Sequence, residues 1–309
     1  MDVSEAILII AGLVLFETIT GIDNAIVNAE VLNTMGARAK KWFLTWGMLV
    51  AVLGVRLGLP WLIVWVANPE LGAIGALSAT FSSDPAVVAA IEESTPILLV
   101  GGGTFLLFLF FNWLFLERKS YGLSVEKFIA SKRVWFYAVV SIVLLVIVWY
   151  AIGINDKMAF AAVIGSTAFF IVQGFRHNAE EAERQMFGNE MSDTAKLFYL
   201  EVLDATFSID SVVGAFAFTT SVPLIMVGCG IGAIIVRRLT ISGGSAVKRY
   251  RYLKNGAMYS IFFLGIIMIF DSFGVHIPAY VSPLITFAVV GFFLWKSMQD
   301  MDKQNGSPD

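Results

Sequence analysis

Residues 95–116, TPILLVGGGTFLLFLFFNWLFL, run without a charged side chain for the length of a bilayer crossing, which takes about 20 apolar residues in a helix. Stretches of this kind recur along the whole chain, and spans are predicted near 6–33, 42–67, 95–116, 134–154, 158–175, 197–220, 222–241, 255–274 and 279–297. Inside lipid each segment must satisfy its own backbone hydrogen bonds, so a chain patterned this way folds as packed helices. Composition agrees, with 58% hydrophobic residues, 15% charged and a mean hydropathy of +0.78, far more apolar than an ordinary soluble domain. The predicted fold class is all-α: a polytopic helical membrane protein of about nine transmembrane spans, with the lipid bilayer as its principal partner.

The basic residues orient those spans. Arg38, Lys40 and Lys41 follow the first, Arg118 to Arg133 the third, and Arg176, Arg184 and Lys196 the fifth. Arg237 to Lys254 follow the seventh, and Lys296 and Lys303 lie in the tail. Of the 21 Lys and Arg, only Arg56 and Lys157 fall elsewhere. Under the positive-inside rule the N-terminus is expected outside and the C-terminus in the cytoplasm of a bacterial-type plasma membrane. The opening MDVSEAILII lacks the basic region of a signal peptide and reads as a retained first span. Cys229 is alone, which excludes an intrachain disulfide and a cysteine metal cluster. The segment EEAER at 180–184 reads as a solvated helical face. Nucleic acid is not expected as a partner, and no oligomeric state follows from the sequence.

Within the apolar spans one costly pattern occurs twice. Glu17-TITGI-Asp23-Asn24 aligns with Asp204-ATFSI-Asp210-Ser211, matching acid, spacing, aspartate and a following small polar residue. The next span of each half holds an arginine, Arg56 in GVRLG and Arg237 in IVRRL. The first motif lies in a helix predicted to run inward and the second in one running outward. Two inverted three-helix repeats joined by two extra spans are the signature of a transporter whose site lies near the midplane. The predicted parts are 1–116 for the first repeat, 117–196 for the linking spans and loops, 197–275 for the second repeat, and 276–309 for the last span and tail.

A charged group at a helix centre costs roughly 2.5–3.5 kcal/mol on insertion scales, so intramembrane acids begin as functional candidates. Glu201 and Asp204, three apart, share a face. Asp204 and Asp210 are six apart, about 240° round an ideal helix, and so are Glu17 and Asp23. Both acids of a motif line one cavity only if the helix breaks between them, for which Gly21 is the natural place and Phe207-Ser208 a weak one. Carboxylates with Asn24 and Ser211 form an all-oxygen set suited to Mg²⁺, Ca²⁺ or Mn²⁺. Set against this is a purely structural reading in which the acids pair with Arg56 and Arg237, and Arg237 simply reaches the interface. A mixed reading has Arg56 neutralising Asp23 or Asp210 when no cation is bound. Asp271 and His276, at the outer end of the last spans, are candidates for a gate or a wet interface.

The elements E-x5-D-N at 17–24, D-x5-D-S at 204–211 and RYLKNG…FDSFGVHIPAYVS at 251–282 together resemble the TerC family, within the wider LysE-type transporter group. The resemblance implies an exporter of manganese or a related divalent cation, in a family tied by name to tellurite resistance. It implies cation-binding roles for Glu17, Asp23, Asn24, Asp204, Asp210 and Ser211. This chain reads DSVVGA where much of that family has DSIPA. Mn²⁺ is the favoured cargo, with Ca²⁺ and Mg²⁺ as alternatives, protons as coupling partner, and no tightly bound cofactor or catalytic residue. An exporter of amino acids or other small solutes is the alternative. An intramembrane Asp-dependent enzyme fits less well, because an inverted copy adds nothing to a catalytic site and the YD and GxGD signatures of intramembrane aspartyl proteases are absent.

Overall fold

The computed structural model describes residues 2–47, 54, 58–67, 69, 72–79, 85–186, 191–242 and 249–305. Among them the regular structure is helical throughout. In chain order the helices are α1 (Val3–Thr20), α2 (Ile22–Asn33), α3 (Ala37–Trp42), α4 (Gly58–Ala67), α5 (Gly72–Ala79), α6 (Pro85–Phe115) and α7 (Ser124–Ala130). They continue with α8 (Phe136–Ile152), α9 (Asp156–Met186), α10 (Asp193–Ala215), α11 (Val222–Ile241), α12 (Leu253–Ser272) and α13 (Val281–Asn305). A π-helical turn, Phe43–Gly47, extends α3.

Seven of the described helices are long and apolar enough to cross a membrane: α1, α6, α8, α9, α11, α12 and α13. They correspond to seven of the nine expected spans. The middle of the expected span 42–67, residues 48–53 and 55–57 with Arg56, lies outside the described residues. The expected span 197–220 is present as α10, but Asp193, Lys196, Glu201, Asp204 and Asp210 make it too polar to count as a crossing by composition. The helix also runs unbroken through Phe207-Ser208. The long first span is split: α1 ends at Thr20 and α2 begins at Ile22.

α6 is the most enclosed of the seven, packed between α9 and α12, while α1 lies along α11. Lipid provides little hydrophobic drive between helices, so close backbone approach at small residues has to hold them. A Cβ on Gly165 of α9 would run into the backbone of Gly101 on α6. A Cβ on Gly103 would stand 3.0 Å from the Gly265 carbonyl of α12. Gly228 and Gly232, one turn apart on α11, meet Leu13 and Glu17 of α1 in the same manner. Between these contacts sits an aromatic core of Phe105, Phe108, Phe110, Trp113 and Phe169. The outer face of α8 presents Ile142, Leu145 and Trp149, the last 76% exposed; apolar faces of this extent are where the protein meets the bilayer.

Candidate functional site

The two acidic motifs meet. Asn24, buried on α2, donates from Nδ2 to Oδ1 of Asp204, buried on α10. Glu17, also buried, lies against Gly232 of α11, where only a glycine leaves room for its stem. Gly21 marks the expected break, but as a kink. Its φ and ψ of −80° and −4° stay near the helical region. Its N–H donates to the Glu17 carbonyl at 3.0 Å and its carbonyl accepts from Ala25 at 2.9 Å, so hydrogen bonding continues across it. A Cβ there would be 2.7 Å from Val236, so the residue also lets α11 come close.

On α10 the hydroxyls turn inward on their own helix. Ser208 donates to the Asp204 carbonyl at 2.6 Å and Ser211 to the Ser208 carbonyl at 3.0 Å. Ser211 therefore spends its proton on the backbone and faces a ligand only with lone pairs. Glu201 packs against Gly47 of the π-helical turn and lies within electrostatic reach of Asp204 and Arg237. Arg237 does not reach an interface. It is buried, donates to the Phe43 carbonyl, and stacks its guanidinium 3.8 Å over the Phe43 ring, an arrangement that suits arginine in a desolvated setting.

Asp23 and Asp210 hold the same place in the two motifs, and each is ion-paired to a basic residue that the span pattern assigns to a loop. Asp210 meets Nη2 of Arg176 at 2.5 Å, with both side chains buried. Asp23 meets Nζ of Lys254 at 2.8 Å, and the same ammonium contacts Glu117 at 2.9 Å. The span pattern places Arg176 in the loop beyond a span ending near 175, but α9 continues to Met186 and Arg176 is buried on it. Lys254 stands in the first turn of α12. Asn28, one turn beyond Asn24 on the same face of α2, is buried as well; its i+4 spacing was the available signal.

The remaining candidates are apart from this centre. Asp271 is half-buried at the end of α12 and His276 exposed beyond it, and no ion pair joins them. Among the described residues no three of His, Cys, Asp and Glu come together closely enough to hold a metal ion. The acids are distributed instead into an amide-linked junction and two ion pairs, because neighbouring helices supply a cation to each outer aspartate. The loop end of α6 is closed separately. Lys119 donates to the Trp113 and Leu114 carbonyls at 2.5 and 2.7 Å and lies 4.1 Å over the Trp113 ring. Burial there lowers its pKa to about 8, against the opposing pull of Glu126 and Glu117. Glu126, fully buried, accepts from Asn255 and from the Gly122 N–H.

Comparison with known proteins gives membrane relatives. An uncharacterized membrane protein of Rickettsia felis is 30% identical over 109 residues, which cover 34% of this chain and 36% of that protein. A second, from Rickettsia prowazekii, is 30% identical over 96 residues, 31% of this chain and 32% of the relative. The chain thus spans about a third of the length of each relative it matches. No solved structure matches. Helices of membrane-crossing length with apolar outer faces and relatives of this kind make the protein an integral membrane protein. Residues 22–304 match the family described as "Protein of unknown function (DUF475)", and the chain belongs to that family.

Proposed function

We propose that this protein is a transporter that exports Mn²⁺ or a related divalent cation along the contact between its two acidic motifs, the function that its resemblance to the TerC family implies. The observation that carries the reading is the buried bond from Asn24 to Asp204, which joins the first motif to the second inside the protein. Asn24 and Asp204 bring an amide and a carboxylate together there, and buried Glu17 and Asn28 lie on the adjoining turns of α1 and α2; oxygen donors of this kind are the chemistry that hard divalent cations take. Charged groups within apolar helices are costly, which makes them functional candidates by default.

A second reading has one observation in its favour. Each outer aspartate is paired with a basic side chain, and no three acids converge, a mixed-charge lining that also suits a zwitterionic solute such as an amino acid. One experiment separates the two. The purified protein is reconstituted in vesicles, and flux of Mn²⁺, Ca²⁺, Mg²⁺ and labelled amino acids is followed with and without a pH gradient. Protein-dependent divalent flux that responds to the gradient supports the first reading with proton coupling. Amino-acid flux without divalent flux replaces it with the second.

A further inference from the structure

Asp23 and Asp210 are equivalent residues of the two motifs, yet their ionic partners are not equivalent. Lys254 comes from the first turn of α12, within the second repeat. Arg176 comes from α9, outside both repeats. Duplication of a three-helix unit would copy an acid and its partner together; here the acids are duplicated and the cations were supplied separately. The pairing is therefore a property of these two aspartates and not a by-product of the repeat.

We propose that Lys254 and Arg176 are tethered counter-ions, occupying Asp23 and Asp210 whenever the transported cation does not, so that the carrier can reorient without cargo. This rests on the transporter reading above. Moving an uncompensated carboxylate through the apolar part of a bilayer is disfavoured about a hundredfold per charge. A carrier whose acids could be neutralised only by cargo would return slowly when empty and would work chiefly as an exchanger. A side chain that takes the place of the cargo removes that barrier, because each aspartate then crosses as a neutral pair.

The geometry provides what such a device needs. Lys254 already contacts a second acid, Glu117, at 2.9 Å. When a divalent cation takes Asp23, the ammonium keeps a carboxylate partner and is not expelled unpaired. The Lys254 and Asp23 side chains are 39% and 42% exposed, so this pair is open to exchange with an arriving ion. The Arg176 and Asp210 side chains are only 8% and 11% exposed. Arginine stays charged at any working pH, so Asp210 remains neutralised until a cation comes along the pathway. The two pairs thus form an accessible and a sealed stage.

The test compares two fluxes in the same vesicles: net Mn²⁺ efflux into Mn²⁺-free buffer, and one-for-one exchange of labelled against unlabelled Mn²⁺. Lys254→Gln and Arg176→Gln are each expected to lower the ratio of net efflux to exchange at least tenfold and to tighten Mn²⁺ binding, since a competing cation has been removed. Lys254→Arg and Arg176→Lys, which keep the charge, should leave the ratio within about threefold of the unaltered protein. A merely structural ion pair would move both fluxes together. An unchanged ratio in Lys254→Gln, or weaker Mn²⁺ binding in it, overturns the proposal, and this half-exposed position decides the matter even if Arg176→Gln is not recovered folded. Absence of both fluxes in the unaltered protein would overturn the transporter reading itself, which is a different outcome.

Discussion

Replacing Gly232 by alanine should drive α1 and α11 apart. The added methyl would stand 2.6 and 2.7 Å from Cβ and Cγ of Glu17 and 3.1 Å from the Val14 carbonyl oxygen. Carbon atoms rest about 3.5–4.0 Å apart. Glu17 Cβ and the Val14 carbonyl are fixed to the α1 backbone, so no rotamer change relieves the clash, and the helices must separate by about 1 Å. Overpacking of this sort costs about 1–3 kcal/mol. Gly230, on the same helix, is the internal control, because a Cβ there meets nothing within 4 Å. Gly230→Ala should be neutral, or stabilising by up to about 1 kcal/mol through helix propensity. Cys229 is the single cysteine and is buried, so a dye that fluoresces on reaction with thiols reports unfolding without further labelling. Gly232→Ala should melt several degrees lower than the unaltered protein and Gly230→Ala no lower. Equal melting of the two variants would refute the close contact of α1 with α11.

Two further outcomes are expected. With positive charges inside, a cysteine at Asn155 should react with an impermeant thiol reagent from outside and one at Lys127 only after the membrane is opened; the reverse pattern would invert the topology. Lys119, whose pKa is lowered to about 8, gives up its proton in the folded state before it would in the unfolded chain. Stability should therefore rise modestly as pH climbs from about 8 toward the usual lysine range, and Lys119→Gln should flatten that rise in a thermal melt.

Much of this architecture is readable in the chain, because hydropathy acts along a single helix. The expected span 222–241 coincides with α11, and 95–116 and 255–274 lie within two residues of the membrane-crossing parts of α6 and α12. Gly21 separates α1 from α2 at the place the spacing of Glu17 and Asp23 indicates, although hydrogen bonding carries on across it. What hydropathy could not reveal is which charges meet. Arg176 and Lys254 flank apolar runs, and a positive-inside count treats such residues as loop charges. Only the continuation of α9 to Met186 and the start of α12 at Leu253 turn them toward Asp210 and Asp23. Arg237 misled in the other direction: a long side chain near a span end usually reaches water, but the Phe43 ring and carbonyl hold it inside. The diagonal bond between Asn24 and Asp204 is likewise tertiary, since sequence alignment pairs Asn24 with Ser211 and Glu17 with Asp204.

The central claim is that the junction of the two motifs is a cation pathway, and Asp204→Asn tests it most directly. The amide keeps an oxygen to accept from Asn24 and nearly the same volume, so the junction should persist while one formal charge is lost. Mn²⁺ flux through reconstituted vesicles should fall at least tenfold with the melting temperature held within a few degrees. Flux at the unaltered level in a well-folded Asp204→Asn variant would contradict the account.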